Sequence, residues 1–275
     1  MSRNFQNIML PTDFSDASAT AFAHALRIVL ATKGKLNLVH VADTASFDDG
    51  FPHVRHALAL WKLMDQKDPS AAVGKLGIKV TKTTSAPEAP LPSLIRFLEN
   101  QPTDLIVLTT RGRDGIAQWL QGSIAERLSR RARVATLFVP ANARGFVDQW
   151  SGQLRLSRIL MPIDHSPSPV EAFDAARDFI RSLNQAAVHF ELMHVGEVAP
   201  RFGGSEDDRV FPVTLQHGDP VDVILATADE KQVDLIAMPT AGHHGFLDAL
   251  RGSTTERVLR HAACPVLALP ADPTN

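Results

Sequence analysis

The chain has 275 residues, 44% of them hydrophobic and 21% charged, with a formal net charge of −2. That length suits two domains of ordinary size, and that composition excludes wholesale disorder, a collagen-like fibre and a disulfide scaffold. The near-neutral charge argues against a nucleic-acid binder built on a broad basic field, and no apolar run approaches the roughly 18 residues that span a bilayer. Cys264 has no second cysteine to pair with, and no charged-then-apolar leader follows Met1. The expectation is therefore a cytoplasmic, unprocessed chain whose partners include neither nucleic acid nor membrane. Residues 1–150 hold 18 Lys and Arg against 13 Asp and Glu, net +5, whereas residues 151–275 hold 10 against 17, net −7. Opposite signs can draw the two halves together, or simply solvate two surfaces.

In chain order, short apolar runs near 6–10, 36–41, 77–83, 104–109 and 135–139 read as strands. Their Val, Ile and Leu content without clean alternation predicts coverage on both faces. Amphipathic stretches separate them. Ser15 or Asp16 is placed to cap a helix carrying Ala21, Phe22, Ala25, Leu26 and Val29 on one stripe. Residues 53–73 read as a second helix and 92–100 as a third, with Pro92 near its first turn. Ser123 caps a fourth at 124–131, with Glu126 in the capping-box position. Residues 141–153 read as a linker between domains at 1–143 and 154–275. Strands alternating with helices predict parallel sheets with right-handed crossovers.

After residue 153 the pattern returns. Ile8-Met9-Leu10-Pro11-Thr12-Asp13-Phe14-Ser15 recurs as Ile159-Leu160-Met161-Pro162-Ile163-Asp164-His165-Ser166, and Leu38-Val39-His40-Val41 as Leu192-Met193-His194-Val195. Asp104-Leu105-Ile106 recurs as Asp234-Leu235-Ile236. Gly112, Gly115, Gly122-Ser123 and Glu126-Arg127 recur as Gly242, Gly245, Gly252-Ser253 and Glu256-Arg257. One domain is present twice. The second copy lacks the counterpart of the second helix, replaced by the loop-like 196–209. One face of its sheet should be thinly covered by its own helices, with the neighbouring domain as an alternative cover.

Open parallel sheets bind ligands beyond the carboxyl ends of their strands. Three segments of each copy converge there: the Asp13 or Asp164 turn, the end of the Val41 or Val195 strand, and the glycine loop. Gly112 and Gly122 are separated by nine residues, as are Gly242 and Gly252, and a serine follows each time. Glycine lets backbone approach a ligand that a Cβ would obstruct, and the Gly-Ser pair opens a helix whose free N–H groups favour an anion such as phosphate.

Other features point to packing. His243-His244, His40 and His194 invite a metal, yet no Cys or carboxylate completes a ligand set at metal-site spacing, so no metal ligand is expected. Arg127, Arg130, Arg131 and Arg133 read as a solvated helix face. Trp61 and Trp119 read as packing residues, and Cys264 as buried and inert. The chain has no Gly-x4-Gly-Lys-Ser/Thr loop, no Gly-x-Ser-x-Gly elbow and no His-Glu-x-x-His. No catalytic residue can be named, and turnover beyond a weak ATPase is not expected.

These motifs together resemble the universal stress protein family in its tandem form: Pro-Thr-Asp-Phe-Ser, Val-His-Val, Asp-Leu-Ile, Gly-x9-Gly-Ser, and Glu-Arg-Val-Leu-Arg leading to Cys-Pro-Val-Leu. The resemblance covers nearly the whole chain. It implies an α/β fold of two tandem, open, parallel five-stranded sheets with flanking helices, Rossmann-like and of the adenine nucleotide alpha hydrolase type, joined as an intramolecular pseudo-dimer. It also implies, in one subclass, ATP or another adenine nucleotide, with or without Mg2+. Asp13 and Asp164 would then meet ribose and adenine, and Val41 and Val195 the base. Gly112, Gly122 and Ser123 would line phosphates in the first copy, and Gly242, Gly252, Ser253 and Thr254 in the second.

Both copies depart from the Gly-x2-Gly-x9-Gly-Ser/Thr pattern of the binding members. Its first glycine is Thr109 in one copy and Pro239 in the other, and proline also removes an N–H donor. The first copy further lacks the turn formed by Gly218-Asp219-Pro220, having the proline-rich 87–92 instead, which ranks the second site above the first. Two readings stay open: a nucleotide-responsive stress module without efficient catalysis, or a scaffold or chaperone-like interaction protein with vestigial sites. Strands 135–139 and 265–269 could pair between domains, or between molecules as a homodimer.

Overall fold

The computed structural model of the chain describes residues 3–12, 18–41, 52–69, 71–85, 90–110, 134–141, 145–167, 169–185, 187–200, 211–241 and 254–271. The first half contains strands β1 (Asn7–Thr12), β2 (Lys35–Val41), β3 (Lys79–Ser85), β4 (Leu105–Thr110) and β5 (Ala135–Pro140). With them come helices α1 (Ser18–Thr32), α2 (Val54–Leu60), α3 (Ala72–Lys75) and α4 (Pro90–Asn100). The second half contains β6 (Arg158–Pro162), β7 (His189–Val195), β8 (Val213–Gln216), β9 (Leu235–Ala241) and β10 (Val266–Ala271). Its helices are α5 (Pro169–Ser182), α6 (Pro220–Glu230) and α7 (Thr254–His261).

All ten strands form one sheet in the order β3-β2-β1-β4-β5-β10-β9-β6-β7-β8. Within each half neighbouring strands run parallel; β5 and β10 meet antiparallel, Leu137 opposite Leu267. The second half is thus the first half's order reversed, as two-fold pairing of a duplicated unit requires. Of the two pairings open to the closing strands, the structure shows the one between the two halves.

Successive residues of the inner strands enter opposite cores. Ile8 and Leu10 face one side and Met9 the other; Ile159 and Met161 face one side and Leu160 the other. One core is continuous across both halves, uniting Leu26, Ile28, Phe146, Phe179 and Leu269 under α1 and α5. At its seam Phe5 meets Phe179 edge to face at 5.3 Å between ring centroids, and the Arg3 N–H donates to Asp178 Oδ2 at 2.6 Å. On the opposite face α6 and α7 cover the second half, while in the first Met9 and Val39 pack against Leu94 of α4. Cys264 lies in the α6 and α7 core, and burial, with Asp234 nearby, pushes its thiol up to about 12.

The recurring Asp-Leu-Ile motif has a structural origin. Asp104 Oδ2 accepts from the N–H groups of Gln6 and Asn7, at 3.1 and 2.7 Å. Asp234 Oδ2 accepts likewise from Ser157 and Arg158, at 2.8 and 3.0 Å. Each aspartate pins the entry of the adjacent first strand.

One expectation is corrected. Residues 53–73 do not form one helix: α2 stops at Leu60, Lys62 adopts φ 59°, and the Asp65 and Asp68 side chains accept backbone N–H groups within a turn before Pro69. A left-handed residue followed by side-chain-closed turns ends a helix that apolar periodicity alone would continue. On the second-half face that lacks this helix, aromatic residues of the same half pack together. Phe173 on α5 meets Phe190 and Phe211 at centroid distances of 5.2 and 4.7 Å.

The linker region is folded into the core. Val147 and Leu154 form an antiparallel bridge, Asp148 closes the turn by accepting from the N–H groups of Trp150 and Ser151, and Phe146, Val147 and Leu156 are buried. Trp61 packs beside it and donates its indole N–H to Gln149 O at 2.9 Å.

Candidate functional site

In both halves the sheet opens at the point where its strand order reverses. β6 pairs with β9 only through Ile159–Leu235 and Leu160–Ile236, and β1 pairs with β4 only through Ile8–Leu105 and Met9–Ile106. Beyond these pairs the strands diverge, leaving the crevice that parallel α/β sheets use for ligands. In the second half this crevice is a cavity of about 260 Å³. Its walls come from the ends of β6, β7 and β9 and from the starts of α6 and α7, among them Asp164, Val195, Met238, Pro239, Thr240 and Thr254.

The structure therefore brings together Asp164, Val195 and Thr254, three residues singled out from sequence. Gly242, Gly252 and Ser253 lie outside the described residues, as do Asp13, Gly112, Gly122 and Ser123. Val41 ends β2 in the position Val195 holds in β7. The helix caps expected from Ser15, Asp16 and Ser123 also lie outside the described residues, together with Trp119 and the 124–131 helix.

Pro239 forms part of the wall. It sits opposite Leu269 of β10 in the ladder, at a point where β6 has already parted from β9. A proline in a strand flanked on both sides is normally costly because it withholds an N–H from the ladder; here one side faces the crevice. Next to it, Thr240 is 4% exposed, and its hydroxyl has no hydrogen-bond partner among the described residues. A buried hydroxyl left unpaired carries a desolvation cost that a ligand group can remove. Sequence patterns gave no signal for this residue.

The start of α6 is already occupied. Asp219 caps it by accepting from Val221 and Asp222 N–H at 2.9 and 3.2 Å, and it pairs with both terminal nitrogens of Arg257 on α7. The Arg257 guanidinium and these backbone donors hold the Asp219 carboxyl below the usual carboxylate range. Arg257 on α7 is thereby tied to the start of α6.

His40 and His194 are buried core residues, as expected: their Nδ1 atoms donate to Thr12 O at 2.8 Å and Ile163 O at 3.0 Å. In the second half His194 also has company that sequence spacing concealed. One ligand atom from each of Asp164, His165 and His194 lies within 4.8 Å of the other two. The carboxylate missing from the linear pattern arrives from a neighbouring strand end.

Comparison with known proteins fits this architecture. The sequence profile of the Universal stress protein family matches residues 4–140 and 201–270, well over half of the chain. A universal stress protein of Methanocaldococcus jannaschii is 30% identical over 145 residues, covering 49% of this chain and 82% of that protein. The crystal structure of a universal stress protein from Archaeoglobus fulgidus superposes with a TM-score of 0.62 at 20% identity, over 98% of both chains. A putative universal stress protein from Pseudomonas aeruginosa gives a TM-score of 0.59 at 18% identity, over 97% of this chain and 94% of that one. At those identities the two structures speak to the fold. None of the described helices is long and apolar enough to cross a membrane.

Proposed function

The chain belongs to the universal stress protein family, and from that premise we propose that it is a nucleotide-responsive binding module whose second half holds an adenine nucleotide. The supporting observation is the 260 Å³ cavity at the strand crossover, lined in part by Thr240, whose buried hydroxyl has no partner among the described residues. Val195, Met238 and Ile224 offer apolar surface for a base. The exposed carboxylate of Asp164 suits ribose hydroxyls, which donate to it, and would repel a phosphate. Phosphates then belong at the start of α7, where Gly242, Gly252, Ser253 and Thr254 converge in sequence and the helix dipole favours negative charge. The corresponding first-half set is Asp13, Val41, Gly112, Gly122 and Ser123, ranked lower because Thr109 replaces a motif glycine and the Gly-x-Pro turn is missing. Nucleotide would act by favouring one arrangement of loops and halves through differential affinity.

Calorimetric titration with ATP, ADP and AMP tests this. The proposal expects saturable heat, abolished by Gly252→Val more completely than by Gly122→Val, with no phosphate release above background. No heat and no thermal shift at millimolar nucleotide would refute it. That outcome would favour the second reading, an interaction scaffold with vestigial sites, to which Pro239 in place of the motif glycine lends its own support.

A further inference from the structure

The two outer edges of the sheet differ. β3 and β8 are its end strands, and they sit in matching register. Leu38 stands opposite Lys82 where Leu192 stands opposite Val213, and His40 stands opposite Thr84 where His194 stands opposite Leu215. The first half thus ends on Lys82 and Thr84, both exposed, and the second on Val213 and Leu215. A lysine on an edge strand discourages a further strand from pairing there. β8, Val-Thr-Leu-Gln, carries no charged residue.

The backbone of β8 has an inner and an outer set of polar groups. Gln216 O accepts from the Gly196 N–H at 2.9 Å, so Gln216 turns its backbone groups toward the β7 chain. Those groups alternate in direction along a strand. Thr214 therefore also faces β7, and the N–H and C=O of Val213 and Leu215 point outward. Among the described residues no strand pairs with that side.

The side chains follow the same alternation. Val213 packs with Phe211 against the core shared by both halves, and Leu215, two residues on, projects from the same face. In the first half that flank holds the buried Leu58 of α2 and the buried Trp61. Among the described residues no helix lies between β7 and β8, and Leu215 is left 42% exposed.

We propose that β8 is a self-association surface, on which two copies of the chain join by antiparallel pairing of their β8 strands about a two-fold axis at Thr214. That register sets Val213 of each copy opposite Leu215 of the other. These are the residues whose backbone groups point outward, so each opposed couple exchanges two hydrogen bonds. Thr214 then meets its own copy as the intervening pair without hydrogen bonds, which agrees with its backbone facing β7. Val213 and Leu215 of both copies fall on one face of the joined sheet, where cross-strand apolar pairs add stability. A slip of one residue would set Leu215 against Thr214, whose groups are turned away. The molecule already joins its two halves by antiparallel pairing of edge strands, β5 with β10, and the β8 pair repeats that joint at the far edge. Pairing a strand with itself also closes the assembly at two chains, whereas β8 on β3 of another copy would leave free edges and meet Lys82. Four residues a side is far below the roughly 20–30 of a stable interface, so the dimer is weak and concentration-dependent. Residues 151–275 carry net −7, so two acidic halves meet and added salt strengthens the contact by screening. None of this rests on the nucleotide reading.

Sedimentation equilibrium of the full-length protein, from micromolar to millimolar and at low and moderate salt, tests this. The expected result is a reversible monomer–dimer equilibrium that tightens with salt and is lost in Leu215→Lys, whose circular dichroism stays that of the wild type. Thr214→Cys gives an independent readout. At the two-fold axis the opposed Cα atoms stand about 4.5 Å apart, within the reach of a disulfide, so mild oxidation should yield a covalent dimer that a reductant reverses. The wild type is the control, its one cysteine, Cys264, being buried. A protein that stays monomeric up to millimolar concentration overturns the proposal, as does a dimer that persists in Leu215→Lys or a Thr214→Cys variant that does not cross-link. Growth beyond dimers that salt reverses also overturns it, since that would set β8 against the basic half of the next copy.

Discussion

His24 Nε2 accepts a hydrogen bond from the N–H of Val147 at 3.3 Å, tying α1 to the linker hairpin 123 positions further along the chain. Its Nδ1–H donates to Thr20 O at 2.7 Å, so the ring is fully engaged as a neutral imidazole. Complete burial lowers its pKa to about 4, against the partial opposition of the Thr20 bond. The folded state thus resists a proton that the unfolded chain accepts near 6.5. This contribution to stability is complete above pH 6.5 and is lost as pH falls toward 4, by about 3 kcal/mol. Urea unfolding from pH 7 to pH 4 should show His24→Gln losing less stability than wild type by roughly that amount. Parallel pH profiles would contradict it.

The same hairpin depends on Gly152. Its φ is +67°, and an added Cβ would stand 2.3 Å from Trp61 Cδ2. Gly152→Ala should therefore destabilise by about 2–4 kcal/mol, through both backbone strain and displacement of the indole. Trp61 fluorescence should shift with it, since its N–H would leave Gln149 O. A substitution costing under about 0.5 kcal/mol, as an ordinary surface change does, would show that the hairpin is not packed as described.

A shared core predicts shared unfolding. Phe179 is fully buried at the seam and meets Phe5 from the other half. Phe179→Ala should cost about 3–5 kcal/mol, and calorimetry of the wild type should show one transition for both halves. Two resolved transitions, with only the later half affected by the substitution, would contradict a continuous core.

Much of this architecture was legible because duplication writes each element twice. Both sets of strands and the convergence of the Asp164 and Val195 strand ends follow from repeated motifs and from the rule that parallel sheets bind ligands at their carboxyl ends. Thr254 enters only through the family resemblance, and the pairing of the closing strands is one of two that the motifs leave open. What stayed hidden depends on contacts between distant positions or on local backbone signs. Apolar spacing ran straight through the break after Leu60, because a left-handed Lys62 leaves no mark on periodicity. The aromatic cover made by Phe173, Phe190 and Phe211 joins three segments. Asp164 and His165 lie far from His194 in sequence and become neighbours only when β6 and β7 pair in register. Thr240 looks like any strand threonine until the crevice opens beside it.

Thr240 separates binding from folding. Thr240→Val removes a buried hydroxyl with no partner among the described residues while keeping its shape, so stability should be unchanged or rise by about 1 kcal/mol. Nucleotide affinity, in contrast, should fall by about tenfold, the loss of one hydrogen bond made in the cavity. Chemical denaturation and calorimetric titration of the same variant check the two halves of this statement. A variant that loses stability and keeps its affinity would reverse it.

Photoaffinity labelling with 8-azido-ATP, followed by mass spectrometry of the proteolysed full-length protein, addresses the nucleotide assignment most directly. Label is expected on peptides carrying Val195 or the Met238–Thr240 wall, displaced by excess ATP and diminished in Thr240→Val. Label confined to the first half, or none that ATP displaces, would contradict a nucleotide site in the second-half cavity.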